Sequence, residues 1–292
     1  VQNVLNSQVR RILKGSYMTD QPGTELKGKV AIVTGAGRMR GIGRGTAVVL
    51  ARMGANVVVT GTGRDPTTFP QDEQDAGWRD IQSTAEQIES YGVKALPLVS
   101  NVADEDDVQK MIDDTVAEFG RLDIIVNNAA APYGNDRVSV LDLKSDVFKT
   151  VVDVKVMGTF YACRAAAAQM IKQGEGGRIV NLSSTMGKSG RANTSAYNAA
   201  NFAVDGFTQA LSKEVGKHAI TVNSVCPGLT ETSRLDPMGR TDKWDARIAE
   251  VPLNRAGTDE EVGELIGFLC SPRAGYITGQ SVNINGGVIT ER

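Results

Sequence analysis

The residues best suited to chemistry form one short segment, Thr34-Gly35-Ala36-Gly37-Arg38-Met39-Arg40-Gly41-Ile42-Gly43. It follows the apolar run Val30-Ala31-Ile32-Val33 and opens a helical pattern over residues 42–52. Glycines let a backbone approach a pyrophosphate, and a helix start offers unpaired N–H groups and the positive end of the helix dipole. Gly35, Gly37, Gly41, Ile42 and Gly43, with Arg38 and Arg40 beside them, are therefore candidates for holding a dinucleotide. Other chemistries are poorly supplied. One histidine, His218, leaves no multi-histidine metal site and argues against a Ser-His-Asp triad; it reads as a surface residue near a helix end. Cys163, Cys226 and Cys270 are odd in number and far apart, so they suggest neither a disulfide framework nor a metal site, and a cytoplasmic setting is expected. A net charge of −2 points to neither nucleic acid nor an anionic membrane. No apolar run approaches the roughly 20 residues that span a bilayer.

The elements around this segment alternate. Strands are expected at 30–34, 57–59, 95–99, 122–126, 178–181, 220–225 and 282–284. Helices are expected at 42–52, 81–91, 108–119, 145–172, 196–215 and 260–270. Continuous Val/Ile runs separated by helices indicate a parallel sheet covered on both faces. The fold class is therefore α/β, a three-layer doubly wound Rossmann fold with a central parallel sheet. Residues 27–292 read as one nucleotide-binding domain, and residues 1–26 as a tail or arm that does not join the pattern. The connection 62–78, with Pro66, Pro70 and several acids, is long for a strand-to-helix turn and is expected to be a surface excursion.

With these elements in place, the chain resembles the short-chain dehydrogenase/reductase family over roughly residues 27–288. The glycine segment is similar to that family's Thr-Gly-x-x-x-Gly-x-Gly loop, except that five residues rather than three separate Gly35 from Gly41. Asn127-Asn128-Ala129-Ala130 resembles the family's Asn-Asn-Ala-Gly. Asn181-Leu182-Ser183-Ser184, Pro227-Gly228 and Tyr276-Ile277-Thr278-Gly279-Gln280 with Gly286-Gly287 follow in family order. The resemblance implies that Asn128, Ala129, Ala130, Tyr197, Pro227, Gly228, Thr230 and Thr232 contact a nicotinamide cofactor, with Asn101 and Val102 near its adenine. The second strand ends Thr60-Gly61-Thr62-Gly63-Arg64, without the acid that would bind a ribose 2′-hydroxyl. Arg38, Arg40 and Arg64, with Thr62, could meet a 2′-phosphate instead, so NADP(H) is favoured over NAD(H).

The resemblance also implies hydride transfer between nicotinamide and a small-molecule carbonyl or secondary alcohol. Tyr197 would be the general acid/base, and Ser184, 13 residues earlier, would hold the substrate oxygen. The family's lysine, four residues after the tyrosine, is replaced by Asn201, and Lys155 stands where its asparagine is expected. The two residue types have exchanged places. A free tyrosine titrates near pH 10, and a cation about 4 Å away at an effective dielectric near 20 is worth about 4 kcal/mol, which an amide does not supply. Lys155 is expected to supply that charge and Asn201 to contact ribose hydroxyls. Residues 229–251 occupy the family's substrate-loop position and are polar. Lys188 and Arg191 could face a polar or anionic substrate, and Met186, Tyr133 and Met238 could line the pocket. A lyase or dehydratase using Lys155 as an amine, or a redox-silent cofactor-binding protein, are the other readings. The resemblance further implies a homotetramer built through the two long helices and the C-terminal segment.

Overall fold

The structure, a computed structural model, describes residues 23–291. Seven strands form one parallel sheet in the order β3-β2-β1-β4-β5-β6-β7. They are β1 Val30–Val33, β2 Asn56–Gly61, β3 Ala95–Val99, β4 Ile124–Asn127, β5 Gly177–Leu182, β6 Ile220–Pro227 and β7 Ser281–Ile284. The helices are α1 Ile42–Arg52, α2 Gln71–Asp75, α3 Ile81–Glu89, α4 Glu105–Phe119, α5 Ser145–Val152, α6 Gly158–Gln173, α7 Ser195–Val215, α8 Asp242–Ala249 and α9 Asp259–Cys270.

Side-chain alternation along each strand divides the core between the two faces of the sheet. Ala31, Val33, Val57 and Val59 pack with Leu50 of α1, Ile88 of α3 and Ile266 of α9. Ile32, Val58, Ile125 and Ile179 face the other way, onto Met111 and Ile112 of α4, Met170 of α6 and Leu211 of α7. Helices cover both faces, which is why the central strands β1, β2 and β4 carry continuous Val/Ile runs; each fully buried Ile or Leu contributes roughly 1.5–3 kcal/mol. Strand order reverses between β1, which leads to β2, and β4. Open α/β sheets bind ligands at the carboxyl ends of the strands beside such a switch point.

Three departures from the expected elements bear on the site. The long helix expected over 145–172 is interrupted by a π turn, Asp153–Met157, which contains Lys155. Such turns re-aim side chains and are frequent at functional sites. The 229–251 segment contains a short turn, Ser233–Met238, and the unforeseen α8. The 62–78 connection is largely exposed, as expected of a surface excursion, but Phe69 and Glu73 are buried and tie it to the domain. Most of the 1–26 segment lies outside the described residues. Its last part packs on the domain, with Leu26 buried and the Gly23 N–H bonded to the Arg52 carbonyl at 2.6 Å.

Candidate active site

The carboxyl ends of β1, β2, β4, β5 and β6 open into two cavities of about 340 and 200 Å³ that share Ile42, Asn128, Ala130, Thr232 and Arg234 and so form one cleft. The larger half is lined by Gly35, Gly37, Arg38, Gly41, Gly43, Thr62, Arg64, Asn101, Val102 and Ala129. α1 begins there with Gly41 as its cap; no side chain caps its free N–H groups and no acid stands in its first turn. A helix start left bare in this way suits an anion. Gly35 has φ of +67°, and a Cβ there would meet Ala129 Cα at 2.9 Å, so only glycine lets β1 turn this tightly beside β4. Asn128 Nδ2 donates to the Thr34 and Gly35 carbonyls at 2.8 and 2.9 Å and fixes that turn.

The glycine loop is fastened to the 62–80 segment. Glu73 accepts from the Met39 N–H at 2.9 Å and from Arg64 at 3.1 Å. Trp78 Nε1 donates to the Gly37 carbonyl at 2.6 Å. Asp80 accepts from Arg64 and packs on Gly37 so closely that a Cβ there would lie 1.6 Å from its Oδ1. Gly37 thus makes room for a carboxylate of the protein itself. Arg40 lines neither cavity, a correction to the expectation that it faces the ribose. Asp72 and Asp236 hold it, each at 2.6 Å, and their hydrogen bonds raise its pKa above the ordinary value. Arg64 does line the cavity, but it is engaged by Glu73 and Asp80. Arg38 lines it with no hydrogen bond to a described residue; burial and the nearby Arg64 lower its pKa.

The smaller half brings together Ser184, at the end of β5, Tyr197, on the first turn of α7, and Lys155. The Lys155 side chain is buried and makes no hydrogen bond or ion pair with a described residue. Burial, and then the charge of Arg234, push its pKa down to about 7 against the opposing pull of Asp205 and Cys226. Asp205 is itself buried, held by the Ser224 and Ser183 hydroxyls at 2.6 and 2.9 Å. Pro227, Gly228, Thr230 and Thr232 complete the wall toward β6. Asn201 is fully buried and lines neither cavity, contrary to the expected ribose contact. It lies one turn along α7 from Tyr197, and its Nδ2 bends back to the Tyr197 carbonyl at 2.7 Å while its Oδ1 has no partner.

Tyr133, Met186 and Met238 line this half as expected, but Lys188 and Arg191 do not. Lys188 turns away to Glu291 and the Ser281 carbonyl, at 2.5 and 2.6 Å, and Arg191 lies 3.8 Å from Glu250. The cavity's arginines are instead Arg137, Arg234 and Arg247. The Arg137 guanidinium lies 4.2 Å from the Tyr197 ring centre and that of Arg234 5.3 Å from it. Arg234 and Arg247 were visible as members of the polar 229–251 segment; nothing in the spacing of Arg137 marked it. The three cysteines are free and buried, and burial pushes each thiol up to about 12, so none is a ready nucleophile. Among the described residues there is no metal-binding cluster, and no helix is long and apolar enough to cross a membrane.

A nucleotide cradle at a switch point beside a serine–tyrosine pair defines a class of protein, and comparison with known proteins agrees. The sequence profile of the family described as enoyl-(acyl carrier protein) reductase matches residues 35–289. The 3-oxoacyl-[acyl-carrier-protein] reductase FabG of Staphylococcus aureus is 35% identical over 260 residues, covering 89% of this chain and 98% of the relative. FabG of Pseudomonas aeruginosa is 34% identical over 263 residues, covering 90% and 98%. A solved short-chain type dehydrogenase/reductase from Mycobacterium marinum superposes with a TM-score of 0.79 at 33% identity, covering 92% of this chain and 98% of that one. The chain belongs to the short-chain dehydrogenase/reductase family, a family of NAD(P)-linked oxidoreductases.

Proposed function

We propose that this chain transfers hydride between NADP(H) and a carbonyl or secondary alcohol, with Tyr197 as general acid/base. The observation that carries the reading is that Ser184, Tyr197 and Lys155 share one cavity wall in a cleft whose other half is the glycine cradle. The bare start of α1, Gly35 and Arg38 suit the phosphates of a dinucleotide, Asn101 and Val102 its adenine, and Thr230 and Thr232 its nicotinamide end. When bound, the cofactor supplies or accepts the hydride, so that a carbonyl becomes a secondary alcohol as the nicotinamide is oxidised. Ser184 holds the substrate oxygen by a hydrogen bond. Tyr197 gives that oxygen a proton in reduction and takes it back in oxidation.

Lys155 supplies the charge that Asn201 cannot. In its protonated form it favours the phenolate left when Tyr197 gives up its proton, and the guanidiniums of Arg137 and Arg234 over the ring act in the same sense. Arg38 carries the preference for NADP(H), because Arg40 and Arg64 are already neutralised by acids. A second reading has one observation in its favour. A buried, unpaired lysine with a pKa near 7 can attack a carbonyl to form a Schiff base, as a lyase would require. We also infer a cytoplasmic homotetramer; Phe148, Ile171 and Phe202, exposed apolar side chains on α5, α6 and α7, suit helix-to-helix contacts between subunits.

The test is a panel of carbonyls and alcohols with NADPH and NADH, followed by nicotinamide absorbance, on wild type and Lys155→Ala. Turnover that Lys155→Ala reduces supports the oxidoreductase. Borohydride trapping of a carbonyl on Lys155 without nicotinamide turnover supports the lyase instead, and cofactor binding with neither supports a redox-silent role.

A further inference from the structure

We propose that the catalytic half of the cleft takes a short oxo acid, or the matching hydroxy acid, whose carboxylate lies a few bonds from the reacting carbon. This names the substrate class of the proposed oxidoreductase site and rests on that reading.

The argument begins with the charge of the cavity wall. Arg137, Lys155, Arg234 and Arg247 line it, and no aspartate or glutamate among the described residues does. Arg137 is matched by the buried Asp136 beside it. Arg247 lies 4.0 Å from Glu250, which is too exposed to cancel a charge inside the cavity. Arg234 has no carboxylate partner among the described residues; its Nε and Nη2 donate to the Ala131 carbonyl at 3.3 and 3.0 Å, which fixes the guanidinium. The Lys155 ammonium has none among the described residues either. Like charges crowd one another here: Arg234 lowers the pKa of both Lys155 and Arg137, in each case after burial. Holding such groups together without a counter-charge is costly, and an anion between them would remove that cost.

Position narrows the anion. Arg137 and Arg234 share two aromatic rings, their guanidiniums lying 4.2 and 5.3 Å from the Tyr197 centre and 5.0 and 6.0 Å from the Tyr133 centre. Both guanidiniums therefore lie against the ring of the proposed proton donor, where Nη1 of Arg234, which bonds no described residue, can donate to a carboxylate. An anion seated there and a carbonyl against Tyr197 belong to one small molecule. The cavity of about 200 Å³ agrees, since drug-sized ligands use roughly 300–1,000 Å³. A long neutral acyl chain would occupy this cavity without using its charges.

The test compares three small probes with one carbonyl: 3-oxobutanoate, its methyl ester, and its N-acetylcysteamine thioester. Each is titrated calorimetrically into the enzyme saturated with NADP+, and each is assayed for turnover with NADPH. The acid is expected to bind at least tenfold more tightly than either neutral probe, with an advantage that shrinks as salt rises. Arg234→Gln should cut the acid-to-ester ratio at least tenfold. The wild-type ratio and its salt dependence need no variant, so a misfolded Arg234→Gln would not rescue the idea. Binding of ester or thioester equal to or tighter than that of the acid overturns it, even if all three are reduced, and the oxidoreductase reading then stands. Tight, salt-sensitive binding of the acid with no reduction of any probe supports the anion seat while counting against the oxidoreductase reading.

Discussion

Charge is handled in opposite ways by the two halves of the cleft. Around the glycine loop, arginines meet acids: Arg64 is held by Glu73 and Asp80, and Arg40 by Asp72 and Asp236. Around Tyr197, Lys155 and Arg234 face the cavity without carboxylate partners. The nucleotide half spends its charges on fastening the glycine loop to its neighbour, and presents a ligand mainly with backbone and one arginine. The half around Tyr197 leaves two of its four cations, Lys155 and Arg234, without a carboxylate among the described residues. One half is cross-linked by its own ion pairs; the other is suited to negative charge, either on a substrate or on the phenol as it loses its proton.

That contrast can be broken at either end. The largest effect is expected from Tyr197→Phe, which removes the proton donor and should lower kcat by about 10²- to 10⁴-fold with NADPH affinity unchanged. Comparable loss of NADPH affinity would mean that the halves are not separable. Next, Glu73→Ala removes the buried carboxylate that holds both the Met39 N–H and Arg64, leaving Asp80 as the Arg64 partner, and should cost roughly 1.5–3 kcal/mol of stability by denaturant unfolding. A change below about 0.5 kcal/mol would deny the loop its fastening. Arg38→Ala should lower kcat/KM for NADPH by roughly 10- to 100-fold, the worth of a charge-assisted hydrogen bond, with little change for NADH. Equal losses for both cofactors would remove Arg38 as the selector.

The same division decides what could be read from the sequence. The cradle is made by neighbours along the chain: a Val/Ile strand, glycines and a helix start. Local pattern suffices for such a feature, and the seven strands emerged where the apolar runs stand. The fate of Arg40 and the burial of Glu73 were not legible, because both depend on the glycine loop meeting a distant connection. Ser184 and Tyr197, the proposed catalytic pair, line one cavity, as their family spacing suggested. Lys188 and Arg191 had the right charge and the wrong direction, since Glu291 and Glu250 claim them. Arg137 and Arg234 reach Tyr197 from two loops far apart in sequence, and side chains that meet only through the fold leave no periodic trace.

The proposal that Lys155 supplies the charge that Asn201 cannot is tested most directly by the pH dependence of kcat/KM for carbonyl reduction in wild type and Lys155→Met. The Lys155 pKa of about 7 is set by burial and by Arg234, against Asp205 and Cys226. The cation is present below that value and lost above it. Wild-type activity should therefore fall as pH rises through about 7. Lys155→Met should be slower below pH 7, by on the order of 10- to 100-fold for a Coulomb contribution of a few kcal/mol, and should lack that limb. A Lys155→Met enzyme that keeps both the wild-type rate and the wild-type limb would contradict the account.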